Sequence, residues 1–388
     1  MSWPLVKLGE VAPSKALKKP AVLDDDKVWQ LNLDMVESGS GRVLNKIKAP
    51  LSEAGSSTHW FDSRHVLYSK LRPYLNKVVL PDEQGLATTE LVPMLPDPER
   101  LDRGFLVHYL RSKQFVSWIS DQVAGAKMPR VSMTVLWDHE IPLPPLEEQK
   151  RIAAILDKAD AIRQKRKQAI DLADEFLRSV FLDMFGDPVT NPKGWEVKEI
   201  DQVCTEIVDC VNRTAPTVDY ETPYKMIRTT NIRNHKIDLS SVRYVEKEVY
   251  EKWVRRLKPE VGDVIFTREA PAGEAGIINF NDSVFLGQRT MHFRPESEKI
   301  TSTFLLYELM APGVQQQIAR LSAGSTVTHL SVPECKKFKI RTPSLENQQR
   351  FTDIVDKVER SKNSLLASLE QSIELFHSLS QKAFSGQL

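Results

Sequence analysis

An α+β chain made of two similar halves is predicted by three observations. The sequence repeats itself at an offset of 199 residues. Each half opens with short apolar runs broken by Pro and Gly, the pattern of strands. Each half closes with a long stretch carrying apolar residues at 3–4 spacing, the pattern of a helix with a heptad seam.

The repeat sets the organisation. Phe105 falls on Phe304, Leu106 on Leu305, Leu110 on Leu309, Ile119 on Ile318 and Ser132 on Ser331. Ala124-Gly125 falls on Ala323-Gly324, and IPLPPLEEQKR (141–151) on IRTPSLENQQR (340–350). Ile155, Asp157, Lys158, Glu175, Ser179 and Phe185 find identical partners further on. At least eighteen of 81 ungapped positions agree, where average composition gives roughly five. The opening segments match with gaps: WPLVKLGEV (3–11) resembles GWEVKEIDQV (194–203), and VLYSKLRP (66–73) resembles VIFTREAP (264–271).

In the first variable segment, 1–145, VLYS (66–69), KVVLP (77–81) and LVPML (91–95) read as strands, and a helix is expected over 103–122. The first long helix follows over 146–186, after Pro144-Pro145. Its seam is read as Ile152, Ile155, Ala159, Ile162, Arg166, Ala169, Ala173, Phe176 and Val180, with Gly186-Asp187-Pro188 as the stop. The second variable segment, 187–344, has strand candidates DVIFT (263–267), AGIINF (275–280) and MHFRP (291–295), and a helix over 302–321. The second long helix, 345–388, has the seam Phe351, Ile354, Val358, Ser361, Leu365, Ser368, Ser372, Leu375 and Leu379. Such a stripe ordinarily packs a helix on its own domain. Two equivalent seams, each well beyond the ~11-residue mean helix length, instead predict that the helices pair with each other.

Composition narrows the function. The 388 residues carry 53 Lys/Arg against 52 Asp/Glu, a net charge of +1, and each of the four segments lies within one charge of neutral. Three cysteines with no CxxC pair point to a reducing, cytoplasmic setting rather than a disulfide scaffold. No apolar run reaches the roughly 20 residues that cross a bilayer, so no membrane role is expected. The sequence has no P-loop, GxGxxG, HExxH, GxSxG or zinc-spaced Cys/His set. Asp24-Asp25-Asp26 reads as a solvated turn. No catalytic residue, metal site or cofactor is therefore assigned to this chain.

Basic residues cluster in loop-like segments. Lys70 and Arg72 follow VLYS, and Lys127 and Arg130 lie in AGAKMPRVS (124–132). Arg228, Asn231 and Arg233 lie in MIRTTNIRNHK (226–236), with Arg268, Arg289 and His329 beyond. Arg and Asn beside small polar residues suit base edges in a major groove, and Lys and Arg suit phosphates. For any one of them, an ordinary surface charge is the competing reading.

IPLPPLEEQKRIAAILDKADAIRQKR (141–166) resembles the central region of type I restriction–modification specificity (S) subunits. LRSVFLDMFGDPVTNPKGWEVKEI (177–200) is similar to that family's junction into a second recognition domain, and VFLGQRTMHFRPE (284–296) and KAFSGQL (382–388) also resemble its patterns. The likeness covers the whole chain; Thr342-Pro343-Ser344-Leu345 departs in having one proline where the first copy has two. It implies two pseudo-symmetric α/β target recognition domains, 1–145 and 187–344, separated by a pair of long antiparallel coiled-coil helices. Each domain would read one half of a bipartite DNA site, and the helices would set the spacer. The helices, through Ile152, Ile155, Ile162, Phe176, Phe351, Ile354, Val358, Leu365 and Leu375, would pair and support docking of two modification subunits. Methylation with S-adenosylmethionine would belong to those subunits, and ATP- and Mg-dependent translocation and cleavage to restriction subunits. A specificity module of a methyltransferase-only system, and a coiled-coil scaffold with no DNA role, are the competing functions.

Overall fold

The computed structural model describes residues 3–23, 25–124, 128–322 and 329–388; Asp24 and Lys127 lie outside the described residues. The chain forms two compact units, Met1–Gln168 with Leu365–Leu388, and Ala169–Ser364. Each unit thus holds one variable segment and a stretch of both long helices.

In the first unit, Lys27–Leu31 pairs parallel with Gly85–Thr88, and Ile47–Pro50 and Thr58–Phe61 add antiparallel edges. Val66–Ser69 pairs antiparallel with Leu91–Met94 and Val78–Val79. The second unit keeps this plan. Tyr224–Ile227 pairs parallel with Ser283–Leu286, and Val264–Arg268 pairs antiparallel with Thr290–Pro295. The strand expected at 275–280 is instead Ala272–Ile277.

The helices expected over 103–122 and 302–321 are each broken in two. Ser112 ends Arg103–Arg111 in extended backbone, and its hydroxyl accepts the Phe115 amide to start Lys113–Ser120. In the second unit Ala311 is extended and Pro312 opens Pro312–Leu321. Proline has no N–H to continue the preceding helix. The apolar spacing runs through both breaks, which hides them from periodicity.

The long helices, Leu146–Phe185 and Leu345–Phe384, have 40 residues each. Their segments run antiparallel within each unit. In the first, Ile152 and Leu156 share a core with Phe376, Ala383 and Phe384, while Arg166 Nη1 donates to the Ser368 carbonyl at 2.8 Å. In the second, Phe181 and Phe185 meet Phe351 edge-on, with ring centroids 5.3 and 5.5 Å apart, and Lys362 pairs with Asp174. The seam also packs on the domains: Phe384 lies 5.4 Å from Phe105, and Phe185 4.8 Å from Phe304.

Four expected seam residues are corrected: Ser361 is exposed, and so are three large apolar ones. Ile162, Phe176 and Leu375 are 44, 52 and 57% exposed, whereas Leu177, Phe181 and Phe376 are buried. A straight α-helix drifts ~20° per heptad from a strict seven-residue repeat. Over four heptads that is nearly one residue, so the buried stripe moves from 176 to 177 and from 375 to 376. Ile152 and Phe351 are fully buried, and Ile155, Ile354, Val358 and Leu365 are half-buried.

The signature glutamines lock each helix to its domain. Gln149, fully buried, accepts the Asp102 amide at 2.8 Å and donates to the Arg100 and Pro144 carbonyls, both at 2.8 Å. Gln348, equally buried, accepts the Thr301 amide at 2.8 Å and donates to the Lys299 and Pro343 carbonyls. Asp102 and Thr301 in turn cap the domain helices through the Phe105 and Phe304 amides.

Two tryptophans close the far ends of the long helices. Trp195 Nε1 donates to the Phe185 carbonyl at 2.9 Å. Trp3 Nε1 donates to the Ala383 carbonyl at 3.1 Å. The second unit adds Arg341, which is buried, pairs with Glu308 at 2.7 Å and donates to the Phe185 and Gly186 carbonyls. It satisfies carbonyls that the end of a helix leaves without amide partners.

Candidate nucleic-acid interface

Six of the basic candidates, Lys70, Arg72, Arg130, Arg268, Arg289 and His329, gather where the antiparallel strand pair of each unit ends. In the first, the chain leaves Val66–Ser69 at Lys70, whose amide donates to the Glu90 carbonyl at 3.0 Å. The Lys70 carbonyl accepts the Val131 amide at 3.1 Å. Two residues on, Arg72 adopts the left-handed region (φ 49°), exposed, with its amide on the Pro129 carbonyl. These links bring Lys70, Arg72 and Arg130 to one edge. Arg130 grips the Glu90 carboxylate in a fork, Nη2 to Oε1 at 2.9 Å and Nε to Oε2 at 3.1 Å. The Arg130 hydrogen bonds hold the Glu90 carboxyl below its ordinary range against the opposing effect of burial, with help from the Lys70 charge.

The second unit repeats the backbone arrangement. The Arg268 amide donates to the Arg289 carbonyl at 2.8 Å, and its carbonyl accepts the Leu330 amide at 3.1 Å. Ala270 (φ 56°) takes the left-handed place of Arg72. Here the carboxylate is Glu269, 3.5 Å from Arg289 Nε and 3.1 Å from His329 Nδ1. With Asp209, Asn212, Arg268 and Gln288 these residues line a cleft of about 340 Å³.

Not every candidate faces solvent. Arg268 is buried, and its Nη1 donates to the Leu330 carbonyl at 3.0 Å, so it braces the turn. Asn231 is corrected from a base contact to a fold residue. It is 1% exposed; its Oδ1 accepts the Arg228 amide and its Nδ2 donates to the Asp238 carbonyl. Arg228 donates to the Ser241 carbonyl. Arg233 is exposed, with Nη1 on the Thr229 carbonyl. These three belong to a separate turn and do not line the cleft. Sequence reasoning missed Glu90 and Glu269, because it searched for cations alone. The 199-residue offset sets Glu90 opposite Arg289, a charge reversal inside the repeat.

Burial pushes the Cys204 and Cys335 thiols up to about 12, and all three cysteines are free. No helix among the described residues is long and apolar enough to cross a membrane.

The model of the type I restriction modification DNA specificity domain matches residues 2–172 and again 192–375. The chain belongs to this family. Type I specificity chains therefore supply its relatives. The MjaVIII specificity subunit of Methanocaldococcus jannaschii is 24% identical over 376 residues, covering 90% of this chain and 84% of that one. A chain from a structural study of complex assembly and conformational transition in a type I restriction–modification system superposes with a TM-score of 0.60 at 19% identity, covering 100% of this chain and 98% of that one. The type I S subunit of M. genitalium gives 0.58 at 15% identity, with 99% and 96% covered. These two structures share the specificity-subunit fold.

Proposed function

We propose that the chain is the DNA sequence-recognition subunit of a type I restriction–modification complex, each domain reading one half of a bipartite site. The observation that carries this is the doubled strand-end cluster. Two domains of one plan end in the same backbone arrangement, with cationic side chains at its edge. Lys70 and Arg72 supply attraction for phosphates in the first domain and Arg289 does so in the second. A near-neutral chain grips duplex weakly by itself, so partner subunits supply much of the remaining phosphate contact.

Each 40-residue helix is about 60 Å long at 1.5 Å per residue. One duplex turn is about 34 Å. Such a pair is long enough to act as the ruler for an unread spacer. Two modification subunits dock against the helices and carry S-adenosylmethionine chemistry; restriction subunits carry the ATP- and Mg-dependent steps. This chain contributes recognition and no bond-making step.

Mapping methylated bases in DNA from cells that express the chain with its modification partner tests the reading. A split motif is expected, and replacing residues 1–140 with another recognition domain should change one half of it. A change in both halves, or methylation without a split motif, defeats the proposal.

A further inference from the structure

The two clusters share two backbone hydrogen bonds, and their differences assign roles. The matched backbone bonds of Lys70 and Arg268 place Arg130 opposite His329, Glu90 opposite Arg289, and Leu71 opposite Glu269. Each cluster keeps one carboxylate, from a different place: Glu90 next to the strand Leu91–Met94, and Glu269 in the turn after Val264–Arg268. Both carboxylates grip the residue at the 130/329 position. A carboxylate at a DNA-facing edge repels phosphate, so its presence in both domains does not serve affinity. It fixes the orientation of the side chain it holds.

The two held side chains present opposite chemistry. Arg130 is bound through Nε and Nη2, which leaves Nη1 and the outer Nη2 hydrogen pointing away from Glu90. A guanidinium fork of that kind matches guanine O6 and N7 in the major groove. His329 has Nδ1 on Glu269. In the tautomer that donates Nδ1–H to Glu269, Nε2 carries a lone pair and accepts. It suits the amino group of adenine N6 or cytosine N4.

We infer that Arg130 and His329 are the matched base-reading side chains of the two domains, Arg130 for guanine and His329 for an amino-bearing base, with Glu90 and Glu269 as their positioning residues. This rests on the function proposed above. The test uses the full chain with its modification subunits and selects bound duplexes from a library randomised in both half-sites.

The Arg130→His variant should lose guanine at one position of one half-site and leave the other half unchanged. Glu90→Gln should weaken that same preference roughly tenfold, within the range of one bidentate base contact. His329→Arg should convert one position of the opposite half-site to guanine. The His329 side chain is 62% exposed, so its variant tests the idea even where changes at 90 disturb folding. A uniform loss of affinity with base preferences intact would overturn the inference. Selection of no split sequence by the unmodified chain would instead defeat the underlying reading, and this one with it.

Discussion

Gln149 and Gln348 make the same three hydrogen bonds with the same atoms, whereas Arg130 with Glu90 and His329 with Glu269 solve one positioning problem with different residues. Duplication has kept the joint between domain and helix and varied the edge of the strand pair. The joint is buried, and each of its polar groups needs its partner. The edge meets solvent, so its residues are released from that constraint.

The largest effect expected falls where the second unit departs from the first. Arg341→Met strands the buried Glu308 carboxylate and should cost about 4 kcal/mol, read by denaturant unfolding. The first unit has Pro142 and Tyr109 at the matching positions, so it has no equivalent pair to lose. Gln149→Leu and Gln348→Leu should each cost about 3 kcal/mol, because each leaves an amide and two carbonyls buried without partners. Unequal losses, measured as shifts in denaturant midpoint, would show that the two joints are not energetically equivalent.

Acid provides a smaller, signed test. Burial pushes the Asp263 carboxyl up, but the Arg294 hydrogen bonds and the His292 ring nitrogen 2.6 Å away outweigh it and bring the carboxyl down to about 2. A carboxyl lowered on folding stabilises the protein above its unfolded value of roughly 4 and loses that contribution as pH falls toward 2. About 2 kcal/mol should disappear across that window, and Asp263→Asn should flatten this part of the stability profile. The smallest effect belongs to the helix faces. Phe176→Ser should change stability by less than about 0.5 kcal/mol, while its neighbour Leu177→Ala should cost about 3 kcal/mol. Equal losses would return Phe176 to the seam.

Much of this fold is legible in the sequence because the repeat and the heptads are long-range patterns. Thirty or more residues of consistent spacing outweigh local ambiguity, and Pro144, Pro343 and Gly186 mark helix ends. The seam's phase was not legible, since a heptad template ignores the drift of an untwisted helix. Nor were the breaks at Ser112 and Ala311, where the apolar rhythm continues across a cap. At the candidate interface, charge located Arg130, Arg289 and His329. It could not distinguish them from Asn231, whose amide is consumed by its own turn, or from Arg268, folded back onto the Leu330 carbonyl. The glutamates were invisible because their importance lies in the partner each one holds.

Trp195 clasps a helix end ten residues before it in the chain, and Trp3 makes the same clasp on a helix end 380 residues after it. One contact is backed by a covalent connection and the other is not. A chain opened between Phe185 and Trp195, and joined instead from Leu388 to Trp3, would exchange which clasp is covalent and leave both sets of contacts in place.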